Sequence, residues 1–358
     1  MSTMKVLLLY RDSCDREITS SVVSGGGEQF CKHLYNTFDC VVVNAPSKAE
    51  KSWSMSEKYA LQKSFVEKAK RENVDIIISN FPSSIYNGTH IAKSKIPIMY
   101  IMHNRFKMRS ILSRLNNLNN NGHSVFLVSE HQEKYFKDMS EKEHEIWPED
   151  DTNLMFEVAG YIRPSFCMGD KPEINLDFKY NVGTIGRCDN QKKPFLLKEL
   201  LDFDEYRTLV MTSMAQEEGM NGYYNRMRKK YVGDKTVSWN DTHKTLMKKL
   251  STCETFFSTW DEETFGICSL EALSHGVPII LNSDENGEHA SLTVTDNPNH
   301  YRLIKKNDKG ELVKAIEDLK KVDRQSLQDE IWEKHSFENW KTHIEDAMKK
   351  TIEKFRSK

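Results

Sequence analysis

The chain has 358 residues, enough for two hydrophobic cores of about 150 to 180 residues each. Its 51 basic and 53 acidic residues leave a formal net charge of -2, so the overall charge does not require a nucleic-acid or membrane partner, although local basic patches could still bind one. The seven cysteines are scattered without a CxxC pair, which argues against a disulfide framework or a paired-cysteine zinc site.

The apolar runs of the sequence are short. The first residues carry a five-residue apolar run, too short for the core of a signal peptide. No stretch approaches the roughly 18 apolar residues of a membrane span. We therefore expect a soluble, cytoplasmic protein with reduced thiols and no integral membrane segment.

Strand-length apolar runs alternate with helical patterns along the whole chain. Amphipathic segments such as 57–72 and 242–251 predict helices. The apolar runs are continuous rather than alternating, as in parallel strands that are covered on both faces. This repeated order predicts two doubly wound, Rossmann-like α/β domains. The predicted strands are 5–10, 40–44, 75–80, 97–102, 124–129, 180–186, 207–213, 254–259 and 277–282.

A segment without periodicity, 163–179, predicts the interdomain linker because it carries two prolines and a glycine. The predicted domains are 1–168 and 169–337. The remaining segment, 338–358, predicts a C-terminal helix with one buried face. The apolar stripe of that helix consists of Trp340, Ile344, Met348, Ile352 and Phe355.

Three consecutive glycines, Gly25, Gly26 and Gly27, follow the first predicted strand and precede a helical pattern. Glycine lets the backbone approach a ligand closely, and the amides at a helix start favour an anion such as a phosphate. A flexible loop capped by glycine is the structural alternative. Neither GxGxxG nor GxxxxGK occurs, which argues against a dinucleotide oxidoreductase and a P-loop NTPase.

Charged residues follow two predicted strands of the second half. Arg187 and Lys192 come after the strand at 180–186, where a guanidinium and an ammonium could neutralise a diphosphate. Glu263 follows the strand at 254–259, and Glu271 lies on the next predicted helix, whose first amides suit a phosphate. The alternatives are solvated surface charges, an exposed loop acid and a helix-face acid.

These motifs together resemble a known family. The run "ETFGICSLEALSHGVPII" at 263–280 is similar to the E-x7-E signature of the glycogen-synthase-like and mannosyltransferase-like retaining glycosyltransferases, which have the GT-B fold. The "GGGE" loop at 25–28 resembles that family's GGxE loop, although Gln29 stands where the family often has Arg. The stretch "GRCDNQK" at 186–192 resembles its G-R-x5-K spacing, shortened here to G-R-x4-K.

The resemblance implies a role for each charged motif residue. Glu263 would hold the hydroxyls of the donor sugar, and Glu271 would hold the ribose of the nucleotide. Arg187 and Lys192 would bind the leaving diphosphate and stabilise the charge that develops on it. The resemblance further implies transfer with retention of the anomeric configuration, with no metal ion and no obligatory cofactor.

Further site residues also follow from the resemblance. Amides around Gly266 and Ile267 would bind the diphosphate, while Gly26 and Gly27 would close over the donor from the first domain. His103, at the end of a predicted strand, resembles the family's active-site histidine, with a purely structural histidine as the alternative. A cleft between the two domains and a C-terminal helix that crosses back to the first domain complete the implied GT-B architecture.

The DxD of Asp202 and Asp204 follows a helical pattern rather than a strand, so we interpret it as a helix end and not as a metal site. A basic cluster beside the predicted cleft could contact a phosphate backbone, or could be a solvated helix face. Its proposed acceptor-binding members are Arg105, Lys107 and Arg109.

The lysine-rich, proline-poor chain also resembles phage enzymes that glycosylate hydroxymethylated bases in DNA. The leading hypothesis is therefore transfer of a hexose or pentose from a UDP-sugar, in preference to a GDP-sugar, to a 5-hydroxymethylated pyrimidine of duplex DNA in the host cytoplasm. One alternative is an envelope or capsule glycan as acceptor. The other is a non-catalytic protein that binds a nucleotide sugar.

Overall fold

The computed structural model describes residues 4–10, 17–19, 26–44, 53–80, 89–103, 109–146, 156–201, 205–214 and 221–358. The chain divides into two compact units: Met1–Ser165 with Glu338–Lys358 forms unit 1, and Phe166–Phe337 forms unit 2. None of the helices within the described ranges is long and apolar enough to cross a membrane.

Unit 1 is built on a six-stranded parallel sheet with the order β2-β1-β3-β4-β5-β6. The central strands are buried along nearly their whole length, because both faces of a parallel sheet are covered. The edge strands β2 and β6 are half-buried. The strands are β1 Lys5–Tyr10, β2 Asp39–Asn44, β3 Ile76–Ser79, β4 Ile98–Met102, β5 Ser124–Leu127 and β6 Val158–Tyr161.

The described helices of unit 1 connect or flank these strands. They are α1 Gly26–Thr37, α2 Met55–Arg71, α3 Thr89–Ala92, α4 Arg109–Asn120 and α5 Glu130–Ile146. Helix α2 begins with a capping box: the Ser54 hydroxyl accepts from the Glu57 amide, and the Glu57 carboxylate accepts from the Ser54 amide at 2.7 Å. This pair explains why the helix starts two residues before the predicted residue 57.

Unit 2 contains the second six-stranded parallel sheet, with the order β12-β11-β10-β7-β8-β9. Its strands are β7 Tyr180–Cys188, β8 Thr208–Met214, β9 Val237–Trp239, β10 Cys253–Ser258, β11 Ile279–Asn282 and β12 Tyr301–Ile304. The helices that accompany them are α6 Leu196–Leu200, α7 Asn221–Lys230, α8 His243–Leu250, α9 Ile267–Ser274, α10 Lys309–Leu319 and α11 Arg324–Lys334. This is the strand order of the Rossmann fold.

The doubly wound α/β architecture predicted from the sequence is confirmed, and each of the nine predicted strands is present. Three further strands, β6, β9 and β12, were missed by the sequence analysis. Their apolar runs are interrupted by Ala-Gly, Ser and Arg respectively. An interrupted run predicts a strand poorly, and neighbouring strands stabilise these segments in the sheet.

The last helix, α12, spans Phe337–Arg356 and packs within unit 1 from residue 338 onward. The indole of Trp340 lies edge-on to Phe30 of α1, with 6.2 Å between ring centroids, and donates to the main-chain oxygen of Arg163 at 3.0 Å. Near the end of the helix, Phe355 stacks on His123. The predicted apolar stripe is thus covered by unit 1, except that Thr351 is buried where the prediction had Ile352.

The segment 162–179 contains neither helix nor strand. Its part in unit 2, from residue 166 onward, contacts α11 and the residue after it: Gln328 donates to the main-chain oxygen of Pro172 at 2.9 Å, and the amide of Cys167 donates to that of His335 at 2.9 Å. Lys171 forms an ion pair with Asp329 of the same helix. The resemblance to GT-B glycosyltransferases implies that the domain 1–168 binds the acceptor and the domain 169–337 binds the nucleotide sugar, and both roles stay predictions.

Candidate functional site

The strand order of unit 2 reverses between β7 and β10, which are adjacent in the sheet. The strands that follow β7, which are β8 and β9, lie on one side of this point in the sheet. The strands that follow β10, which are β11 and β12, lie on the other side. In an open α/β sheet, ligands bind outside the carboxyl ends of the strands at this switch point. Arg187 lies near the end of β7 and Glu263 in the loop that follows β10, so both predicted residues lie on the side of the sheet where such folds bind ligands.

Arg187 is the penultimate residue of β7, and a buried carboxylate fixes its guanidinium. Its Nε lies 3.3 Å from Oδ2 of Asp189, which is fully buried. The other oxygen of Asp189 accepts from the amides of Gln191 at 3.0 Å and Lys192 at 2.7 Å. Asp189 therefore shapes the loop that carries both predicted cations, as Asp does in an Asx turn.

Lys192 and Glu263 are brought into direct contact. The ammonium of Lys192 lies 2.8 and 2.9 Å from the two carboxylate oxygens of Glu263, and both side chains are mostly buried. The same ammonium lies 3.6 Å from the centroid of the Trp260 ring, a cation–π contact. Lys192 thus contacts a second predicted site residue, while the next residue, Lys193, is exposed.

The first turn of α9 lies between β10 and Glu271. Gly266 is its N-cap, with φ of 92°, and a Cβ there would come within 1.9 Å of the Ser291 hydroxyl. Glycine is therefore required at this position, both for the left-handed backbone and for the close approach. The first amides of a helix lack acceptors within the helix, so those that begin at Ile267 form an anion-binding end.

Glu271 lies in the second turn of α9 and is mostly buried. Its Oε1 is 2.8 Å from Nε2 of His243, the first residue of α8. This hydrogen bond raises the pKa of His243. A second histidine, His275, contacts the main-chain oxygen of Glu271 at 2.8 Å through Nδ1, and burial lowers its pKa.

Neighbouring segments hold the loop between β10 and α9 in place. Nδ1 of His289 accepts from the Ser291 amide at 3.0 Å, so its Nε2 carries the proton and donates to the main-chain oxygen of Trp260 at 3.0 Å. Thr259 donates to the main-chain oxygen of Lys192 at 2.6 Å, and Asn282 at the end of β11 donates to that of Thr259 at 3.1 Å. These bonds tie the loop to the ends of two neighbouring strands.

The thiol of Cys268 interacts electrostatically with three of the charged groups at this edge. Burial and the carboxylates of Glu271 and Glu263 raise the pKa of its thiol, while the ammonium of Lys192 opposes the shift. The first turn of α9 thus lies within electrostatic reach of both predicted glutamates and the predicted lysine. Chemically, this edge of unit 2 combines cations and helix amides for a diphosphate with carboxylates for hydroxyl groups.

The described site residues of unit 1 lie at the carboxyl edge of its own sheet. Gly26 and Gly27 begin α1, and the Asn80 amide, just after β3, donates to the main-chain oxygen of Gly27 at 2.8 Å. His103 follows β4, and its ring lies 5.1 Å from that of Phe30. Burial lowers the pKa of His103 to about 3, so the imidazole is neutral at physiological pH.

The predicted acceptor residues Arg105 and Lys107 lie outside the described residues, and Arg109 is described only as the first residue of α4. Asp202 and Asp204 also lie outside them. Within the described ranges, no group of three or more His, Cys, Asp and Glu residues could hold a metal ion.

Four residues around the site were missed by the sequence analysis: Asp189, Trp260, His243 and His289. Asp189 could have been found from the local sequence. Its carboxylate accepts from amides two and three residues later in the chain, which is the pattern of an Asx turn. The other three contact residues between 28 and 68 positions away, and these contacts exist only after folding.

No protein-family model matches the sequence, and none of the curated proteins is detectably similar to it in sequence. Solved structures are similar in fold. HepE from Anabaena, solved with UDP and glucose, has a TM-score of 0.67 at 14% identity, over 97% of this chain and 99% of that one. A glycosyltransferase from Rickettsia africae ESF-5 has a TM-score of 0.68 at 13% identity, over 98% and 99% of the two chains.

A third similar structure is the sucrose-phosphate synthase from Thermosynechococcus elongatus, with a TM-score of 0.66 at 11% identity over 97% of this chain and 98% of that one. HepE has also been solved with UDP-glucose. At such low identity the likeness establishes the fold, which is the GT-B fold predicted from the motifs.

Proposed function

We propose that this protein is a glycosyltransferase that moves a sugar from a UDP-sugar to a hydroxyl group of an acceptor. The observation that carries this proposal is the contact of Lys192 with Glu263 beside the first turn of α9, at the switch point of the unit 2 sheet. A cation for the diphosphate and a carboxylate for sugar hydroxyls stand next to each other there. A UDP-sugar is preferred as donor because a structure of similar fold contains UDP-glucose.

In this proposal the bond between the sugar C1 and the β-phosphate oxygen breaks, and a bond between C1 and the acceptor oxygen forms. The negative charge that develops on the diphosphate is stabilised by Arg187, Lys192 and the amides that begin at Ile267. Glu263 accepts hydrogen bonds from the sugar hydroxyls, and Glu271 accepts from the ribose. The proton of the acceptor hydroxyl leaves with the diphosphate.

Two finer elements of the proposal come from sequence resemblance. The E-x7-E spacing of Glu263 and Glu271 supports transfer with retention of configuration. The proposed acceptor is a 5-hydroxymethylated pyrimidine in DNA, a base that has to be reached outside the helical stack. His103 and the glycines Gly26 and Gly27, which begin α1, are assigned to the site in unit 1.

Donor turnover tests the enzymatic function. The protein is incubated with UDP-glucose, other UDP-sugars and GDP-sugars, and free nucleotide is measured with and without acceptor. Release of UDP that is abolished in Glu263→Ala supports an enzyme. Tight binding of a UDP-sugar without any turnover would instead favour a non-catalytic nucleotide-sugar-binding protein.

Mass spectrometry of digested nucleosides tests the acceptor. Duplex DNA with and without 5-hydroxymethylcytosine or 5-hydroxymethyluracil is incubated with protein and donor. A pentose or hexose mass added only to a hydroxymethylated nucleoside supports the proposed acceptor, and the NMR coupling constant of the new anomeric proton reports retention or inversion. Turnover without any labelled nucleoside would keep the transferase and reject the DNA acceptor.

A further inference from the structure

The contact between His243 and Glu271 joins two helices at the predicted nucleotide site. His243 begins α8, whose N-cap Thr242 accepts from the amide of Thr245, so the start of the helix is fixed. Its Nε2 lies 2.8 Å from Oε1 of Glu271, a mostly buried carboxylate on α9, while the imidazole itself is partly exposed. Within the described part of the chain, His243 is the side chain that hydrogen-bonds this carboxylate.

We infer that His243 is a positioning residue for the donor, because it holds the carboxylate of Glu271 in the orientation that accepts from the ribose hydroxyls. The inference rests on the proposed function, which assigns the ribose to Glu271. A glutamate has three side-chain torsions, and a free carboxylate would lose that freedom when it binds a ligand. A hydrogen bond formed before binding lowers this entropic cost.

The carboxylate keeps enough acceptor capacity for this role. Two carboxylate oxygens offer about four lone-pair directions, and His243 uses one of them on Oε1. The two hydroxyls of a ribose would need two of the others. His275 does not have this positioning role, because its hydrogen bond is with the main-chain oxygen of Glu271 rather than with the carboxylate.

The electrostatics agree with a donor role for His243. Its hydrogen bond with Glu271 raises the pKa of the imidazole, which shows that the charged, donating form is favoured by the carboxylate. In both the charged and the neutral form of the imidazole, Nε2–H donates a hydrogen bond to the carboxylate oxygen Oε1 in this geometry. The residue therefore restrains Glu271 rather than competing with the ribose for it.

Calorimetric titration with UDP and with 2′,3′-dideoxy-UDP tests the inference, since the second nucleotide keeps the base and diphosphate but lacks both ribose hydroxyls. The variants are His243→Leu, which removes the donor, and His243→Gln, whose amide can donate to Oε1. We expect His243→Leu to weaken UDP binding about tenfold and to leave dideoxy-UDP binding unchanged. His243→Gln restores UDP binding to within about threefold of wild type.

Lys244→Ala provides the matched control, because Lys244 is an exposed neighbour on the same helix. It should bind both nucleotides like wild type. With a transferable donor, His243→Leu is further expected to raise KM for the donor with little change in kcat, which a general loss of folding would not produce. Melting temperatures are compared for all variants, and His243→Gln decides the question if His243→Leu does not fold.

Two results separate the inference from the function on which it rests. Equal weakening of UDP and dideoxy-UDP in His243→Leu, or no weakening of either, would overturn the positioning role while the donor site stands. Absence of binding of both UDP and GDP to the wild-type protein would instead reject the proposed function itself.

Discussion

The carboxyl edges of the two sheets contain different chemistry. In unit 2, oppositely charged side chains pair with each other, as Lys192 does with Glu263 and Arg187 with Asp189. In unit 1, two residues that follow strands at the corresponding edge are neutral: Asn80 holds the start of α1, and His103 is buried against Phe30 with a pKa lowered to about 3.

A diphosphate carries charge, and fixed cations stabilise it best when opposite charges already hold them in position. Neutral side chains such as Asn80 and His103 offer hydrogen bonds without a strong field, which suits hydroxyl groups better than phosphates. The comparison therefore supports the proposal that the anion binds at unit 2, and each of the following changes tests one interaction in it.

The largest effect is expected from removal of the Lys192 charge. Lys192→Met keeps the aliphatic stem over Trp260 but leaves the carboxylate of Glu263 without its cation. Transfer should fall by about 100- to 1,000-fold, as for other groups that stabilise developing charge. Steady-state kinetics with the active donor measure this loss of transfer activity.

Lys193→Gln is the control for that change, because Lys193 is the adjacent lysine, is exposed and also follows Arg187 closely. Its activity should stay within about twofold of wild type. Equal losses in the two variants would show that the loop needs its total charge rather than the Lys192 position.

The buried histidines of unit 1 predict acid sensitivity. Burial lowers the pKa of His123 from 6.5 to about 4, so the unfolded chain binds more protons between those pH values and stability falls as the pH falls. From pH 7.5 to pH 5, His123 should cost about 2 kcal/mol of the free energy of unfolding. Urea titrations at both pH values measure the loss.

His123→Gln can preserve the hydrogen bond that Nε2 now makes to the main-chain oxygen of Ala92 at 2.7 Å. We expect it to lower stability slightly at pH 7.5, where the stack on Phe355 is lost, and to reduce the difference between pH 7.5 and pH 5 by about 2 kcal/mol. An unchanged difference would mean that His123 binds protons equally in the folded and unfolded states.

A smaller effect is expected from Asp189. Asp189→Asn keeps an oxygen for the amides of Gln191 and Lys192 but removes the negative charge beside Arg187. KM for the donor should rise about threefold to tenfold, while Asp189→Ala, which also loses the turn, should lower the free energy of unfolding by about 2 kcal/mol. Kinetics and chemical unfolding of both variants separate the two contributions.

The smallest effect concerns Trp260. Trp260→Leu removes the ring beneath the Lys192 ammonium, a contact of about 0.5 to 1 kcal/mol at a partly exposed site, so KM for the donor should rise about twofold to fivefold. Trp260→Phe should recover part of that loss. No recovery by Phe would attribute the effect to the volume of the indole.

Much of this architecture is readable from local sequence. The continuous apolar runs predict nine of the strands, since parallel strands covered on both faces have to be apolar throughout. The site motifs are local as well: Lys192, Gly266 and Glu271 each stand within a few residues of a strand end or helix start. Short strands such as β9 and β12 were not predictable, because their stability comes from neighbours in the sheet.

The sequence by itself determined the fold class, the order of elements and the positions of the charged residues along them, because hydrophobic periodicity and glycine placement act over a few residues. Only the tertiary structure decided which side chains meet. Lys192 and Glu263 are 71 positions apart, and His243 and Glu271 are 28 apart. Their contacts depend on the order of strands in a sheet, which is set by packing over the whole of unit 2 rather than by any local pattern.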